Sequence, residues 1–184
     1  MEEKKQGTEY FQNIPPHDDA AEQAVLGCMF LDKEAVATAL EILRADDFYR
    51  PDHQRVFEAA EELFSAGIPV DVITIKNKLE EKQIFEQIGG LQFVVSISTA
   101  VASSVNVKHY AKIVEEKSLL RRLIKTASEV SQISYEGKED VNFIMEKAEK
   151  GIFDIMQNRR TEEFASIRDI AVSAFEKIED VYHN

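Results

Sequence analysis

Residues 106–135 contain neither glycine nor proline and carry their apolar side chains on a helical period, which predicts one helix of about eight turns. Its apolar face changes sides midway. At 100° per residue, Val107, Tyr110, Ala111 and Val114 form one stripe. After Glu115, Glu116 and Lys117, a second stripe runs through Leu119, Leu120, Leu123, Ile124, Ala127 and Val130, roughly on the opposite side. A globular body covers one side of a rod. The first half is therefore expected to pack on the rest of the chain, and the second half to leave it and pack on something else.

Gly137 ends this helix and Asp140 caps the next. There Val141, Ile144, Met145, Ala148, Ile152, Ile155 and Met156 make a tight stripe. The short connection makes the pair an antiparallel hairpin over residues 106–157. Two helices alone leave apolar surface over, with Leu119, Leu120 and Leu123 spanning a wide arc and Phe143 and Phe153 off the stripe. A projecting hairpin of this kind suits dimerisation. The same periodicity also allows the hairpin to fold back over the core as an ordinary bundle.

A polar link over residues 158–165 precedes a final amphipathic helix over 166–184, opened by the Ser166-x-x-Asp169 box. Ile167, Ile170, Ala171, Ala174, Ile178 and Val181 share one face, with Phe175 at its edge. A helix of this length is marginal alone in water. It folds back or docks in a groove on another domain, and the polar link favours the second.

Residues 1–13 are polar and unpatterned and read as a mobile tail. Residues 14–105 read as a helical globular head. Pro15 and Pro16 hold the chain extended, and Asp18 or Asp19 caps a helix to Leu31 with Ala21, Val25, Cys28 and Met29 on one face. Gly27 weakens that helix by roughly 1 kcal/mol unless close packing requires it. Helices follow over 33–44, from Pro51 or Asp52 to a stop at Gly67, and from Leu91 to Thr99. The stretch "PVDVITIKNKLEEK" is rich in β-branched residues, as a strand would be. Asp71 as N-cap and the Val72, Ile75, Leu79 spacing favour helix. With 44% apolar residues, 7 Gly, 4 Pro and no Trp, the expected fold class is all-α: a compact helical head, a long protruding hairpin and a C-terminal linker helix.

A net charge of −12 argues against a protein whose main task is gripping DNA phosphates. Cys28 is the single cysteine, so no intramolecular disulfide forms. No apolar stretch is long enough to span a membrane and no signal peptide is recognisable, so a cytoplasmic location is expected. Neither G-x-x-x-x-G-K-S/T nor G-x-G-x-x-G occurs, and His17, His53, His109 and His183 are dispersed, as surface or capping residues would be. The pairs Asp46–Asp47 and Glu61–Glu62 read as solvated. No catalytic set assembles, so no activity, cofactor or metal site is expected in this chain. Arg121, Arg122 and Lys125 could form a phosphate patch but read better as a solvated face.

The order of the segments "IPPHDDAAEQAVLGCMFLD", "ILRADDFYRPDHQRVFEAAEELFSAGIPVDVITIKNKLEE", "IGGLQFV", "NVKHYAKIVEEKSLLRRLIKTASEV" and "AEKGIFDI" closely resembles the N-terminal domain of bacterial DnaB-type replicative DNA helicases. The resemblance runs from about Ile14 to the end. It implies a helical head and hairpin that pair into dimers, and a trimer of dimers in the hexameric helicase, with Leu119, Leu120, Leu123 and Ala127 as self-association residues. It implies docking of the primase C-terminal domain, for which Ile124, Val130, Ile133 and Phe143 are the candidates, and engagement by a helicase loader. The last helix then docks on the motor domain of a neighbouring subunit through Ile167, Ile170, Ala171, Ala174, Phe175 and Ile178. ATP and Mg would belong to that motor, which this sequence lacks, so the chain is expected to be a piece ending just before it. Weak or no direct DNA binding follows. A stand-alone all-α adaptor or a nucleic-acid-binding regulator is the alternative.

Overall fold

The computed structural model describes residues 14–157; the expected tail at 1–13, link at 158–165 and linker helix at 166–184 lie outside the described residues. All regular structure among the described residues is helical. We number α1 (Asp19–Leu31), α2 (Lys33–Ile42), α3 (Pro51–Ser65), α4 (Val72–Glu81), α5 (Gly90–Ser98), α6 (Val107–Glu136) and α7, described over residues 141–157, with a 3-10 turn at Ala45–Asp47 between α2 and α3.

The helix ends follow the side chains that can satisfy them. Asp18 caps α1, its carboxylate accepting from the Ala21 N–H at 2.9 Å. Asp32 ends α1 and starts α2: its N–H donates to the Cys28 carbonyl, and its carboxylate accepts from the Glu34 N–H at 3.0 Å. Pro51 opens α3, where its missing N–H is no loss. Asp71 decides the ambiguous "PVDVITIKNKLEEK" for helix. Its carboxylate accepts from the N–H groups of Ile73 and Thr74, and the Thr74 hydroxyl accepts in return from the Asp71 N–H. Ile75 and Leu79, one helical turn apart, are then fully buried.

α1 is the central rod. Val25, Leu26, Cys28 and Met29 are buried, and α2, α3, α5 and α6 all pack against it. Gly27 is there because α5 comes too close for anything larger. A Cβ at 27 would lie 2.8 Å from the Ile97 carbonyl oxygen. The core closes with Phe48, Val56, Phe57, Leu63, Val94 and, from α6, Val107, Ala111 and Val114.

α6 divides as its two stripes require. Val107, Ala111, Val114 and Ser118 are buried, on the half of α6 that packs against α1, α2 and the 3-10 turn; no α6 residue after Ser118 is buried. From Leu119 to Glu136 the helix runs on for about 27 Å at 1.5 Å per residue. Gly137, at φ +60°, closes the C-terminus with its N–H on the Ile133 carbonyl. The Asp140 carboxylate accepts from the Asn142 N–H at 2.8 Å, and α7 returns along α6. At Gly151 the two helices come close together, since a Cβ there would lie 2.5 Å from Thr126 Cγ2.

Candidate protein-interaction site

Thr126 and Gly151 define the inner seam of the hairpin. Counting 100° per residue from Thr126, Leu123, Ala127, Leu120 and Ile124 fall within roughly a 100° arc on one flank of α6. Counting from Gly151, Val141, Ile152, Met145 and Met156 fall within roughly a 60° arc on α7. The helices are antiparallel, so these two arcs lie on the same side of the hairpin. Leu120, Leu123, Ile124, Val141, Met145, Ile152 and Met156 are between 43% and 71% exposed. The opposite side is polar. There Glu129, Glu146, Lys147, Lys150 and Asp154 line a groove of about 450 Å³ together with Val130 and Phe143. One arm thus has one apolar flank and one charged flank.

Of the residues marked for self-association, Leu120, Leu123 and Ala127 lie on the apolar flank. Leu119 is half-buried, over a groove of about 190 Å³ beneath Leu40–Arg44 at the end of α2. The four primase candidates do not come together. Ile124 is on the apolar flank, Val130 and Ile133 are partly covered near the seam, and Phe143 lies on the charged flank, 49% exposed. Residues Ile167, Ile170, Ala171, Ala174, Phe175 and Ile178 lie outside the described residues.

Three expectations about polar residues are corrected at the root of the hairpin and in the head. Asp47 is not solvated but buried. Its carboxylate accepts from the Ser118 hydroxyl at 2.7 Å, Arg122 Nη2 at 2.6 Å and the Arg44 N–H at 2.8 Å. Arg121 and Arg122 are not a solvated face. Arg121 donates to the Pro16 carbonyl at 2.8 Å and to the Asp47 carbonyl, with its guanidinium 5.8 Å from the Tyr49 ring centroid. Burial pulls the Arg121 guanidinium below its ordinary value. Arg122 also reaches Asp46 at 3.5 Å. Lys125 alone of that triplet stays exposed.

His53 is not a surface histidine. It is 2% exposed, stacks on Phe93 and pairs through Nδ1 with Glu22 Oε2 at 2.8 Å. Glu22 is 1% exposed and accepts as well from the N–H groups of Tyr49 and Arg50, at 2.6 and 3.3 Å. This buried carboxylate ties the turn before α3 to α1. One sequence signal pointed to it: α1 is apolar on nearly every side, so a charge within it has no route to water. Beside it, burial pushes the Asp52 carboxyl up, but the Arg50 hydrogen bond and the His53 N–H outweigh that and hold it below the usual range.

Among the described residues no group of His, Cys, Asp and Glu could hold a metal ion, and no helix is long and apolar enough to cross a membrane.

The all-helical fold is that of a known domain class. The sequence model described as "DnaB-like helicase N terminal domain" matches residues 14–116. The chain belongs to that family. It is 39% identical over 170 residues to the replicative DNA helicase DnaC of Bacillus subtilis, covering 92% of this chain and 37% of that protein. It is 39% identical over 175 residues to the replicative DNA helicase DnaB of Geobacillus stearothermophilus, covering 95% of this chain and 38% of that one. The chain thus spans less than two fifths of the length of these curated relatives. Its structure is similar to the crystal structure of the N-terminal domain of DnaB helicase from Mycobacterium tuberculosis, with TM-score 0.74 and 41% identity over 77% of this chain and 99% of that one. It is also similar to the N-terminal domain of DnaB helicase from Helicobacter pylori, a structure described with its interactions with primase. There the TM-score is 0.54 and the identity 26%, over 63% of this chain and 90% of that one.

Proposed function

We propose that this chain is the collar of a hexameric, ATP-dependent replicative helicase: an assembly and docking module in the bacterial cytoplasm, not its motor. The observation that carries the reading is the apolar flank of the hairpin. Half-burying seven large side chains already half-exposed contributes roughly 1 kcal/mol each, so two copies supply about 14 kcal/mol gross. Association costs on the order of 4–15 kcal/mol. Pairing through this flank alone is therefore weak and concentration-dependent, and further subunit contacts complete the ring. In this reading the flank joins two copies into a dimer and three dimers form the collar. The charged flank, with Phe143 and Val130, is left free for the primase C-terminal domain. Residues 166–184 dock on the motor of a neighbouring subunit, a helicase loader engages the same ring, and ATP and Mg belong to that motor.

The test is the solution mass of Leu120→Glu with Leu123→Glu by sedimentation equilibrium. Buried like charges at a two-fold contact are costly, so the double variant should be monomeric where the parent sequence is dimeric. An unchanged mass would place the self-contact elsewhere. The alternative of a nucleic-acid-binding regulator loses its motivation, because Arg121 and Arg122 are consumed by contacts within the chain.

A further inference from the structure

Among the described residues, the second half of α6 has no fully buried apolar anchor to the head; Leu119, at its start, is only half-buried. A polar cluster ties it to the head within one helical turn of Ser118, where the inward stripe ends. Ser118 and Arg122 grip the Asp47 carboxylate, and the same carboxylate closes the 3-10 turn through the Arg44 N–H. Arg121, on the neighbouring side of the helix, forks between two carbonyls, Asp47 in that turn and Pro16 in the segment leading into α1. His17, next to Pro16, stacks on Tyr49 at 4.2 Å between ring centroids, and Tyr49 is the ring beneath Arg121. The segment before α1, the turn before α3 and the root of the hairpin thus meet at one guanidinium.

We propose that this clasp is a hinge lock: it sets the angle at which the hairpin leaves the head and couples that angle to the position of the chain entering at Pro15–Pro16. Apolar packing is forgiving of small rotations, whereas a forked guanidinium on two carbonyls is not. A lever about 27 Å long turns a small rotation at Ser118 into a large displacement at the tip. A partner that pulls on the segment before α1, or that draws off Arg122, releases the arm without unfolding the head.

The test uses electron–electron resonance distances between nitroxides at Glu61→Cys on α3 and Glu139→Cys at the hairpin tip, both exposed, with Cys28→Ala. Labelled protein is diluted into unlabelled protein so that only intramolecular distances are read. The otherwise unaltered chain should give one narrow distribution. Arg121→Ala and Arg122→Gln should each broaden it and shift its centre, with far-ultraviolet helicity unchanged. An unchanged narrow distribution in both would overturn the lock. Should Arg121→Ala lose helicity, Pro15→Gly with Pro16→Gly decides, because it loosens the entering segment and leaves every clasp side chain in place. Broadening there supports the coupling; a distribution identical to that of the unaltered chain refutes it.

Discussion

Gly27→Ala tests the packing of the head with a single methyl group. In an open helix the change stabilises by about 1 kcal/mol, because alanine has less backbone entropy to lose. Here the added Cβ would lie 2.8 Å from the Ile97 carbonyl oxygen and 3.0 Å from Val101 Cγ2. The Ile97 carbonyl is backbone at the end of α5 and already accepts from the Ala100 N–H at 3.1 Å, so it cannot rotate away as a side chain would. α1 and α5 must separate. Overpacking a dense core costs about 1–3 kcal/mol, and a backbone obstacle puts this site in the upper half of that range. Subtracting the propensity gain leaves a net destabilisation of about 1–2 kcal/mol, a fall in Tm of roughly 2–8 °C for a domain of this size. Urea unfolding followed by circular dichroism should show a lower midpoint at an unchanged slope. A variant more stable than the parent would refute the argument, since it would mean that α1 and α5 do not meet at Gly27.

Glu22→Gln should destabilise the head by about 2–4 kcal/mol, because an amide cannot accept from Tyr49, Arg50 and His53 together; chemical denaturation reads it. Asp52 gives the head a pH dependence. Its folded carboxyl sits below its unfolded value of about 3.9, so the unfolded state binds more protons in that window. The stability it contributes is present above that value and is lost as pH falls through the lower folded one. Asp52→Asn should flatten the acid side of the stability profile and leave the neutral side parallel to that of the parent. Arg121→Glu with Arg122→Glu should lower thermal stability and leave any DNA binding and its salt dependence as they were; a selective loss of salt-dependent binding would restore the phosphate-patch reading.

What was legible in the sequence is what local rules govern. The caps at Asp18, Asp71 and Asp140 and the stops at Gly67 and Gly137 fall where their side chains or lack of them demand. The change of face along α6 was visible as a phase shift, and the structure turns it into a buried half and a free half. What was hidden is pairing across long separations. Glu22 and His53 are 31 residues apart, and Asp47 meets Ser118 and Arg122 across 71 and 75. Charged residues read one helix at a time look solvated, because nothing periodic announces a partner on another element. Gly151 was hidden for the same reason: its meaning lies in Thr126 on the facing helix. Leu119 shares the width of the stripe with Leu120, but it lies half-buried beside the end of α2, a neighbour that its own helix does not announce.

In the proposed assembly, copies of this chain meet through one flank of the hairpin. Cys28 is the chain's single cysteine and is buried, so in a Cys28→Ala background an added cysteine is the one thiol present. Single variants Leu123→Cys and Ile152→Cys place a thiol on the apolar flank, and Glu129→Cys and Lys147→Cys place one on the charged flank. With a short bismaleimide at dimer-forming concentration, the first pair should give covalent dimers and the second pair should remain single chains. Dimers from Glu129→Cys and Lys147→Cys, with none from Leu123→Cys and Ile152→Cys, would place the contact on the charged flank and rule out pairing through the apolar one.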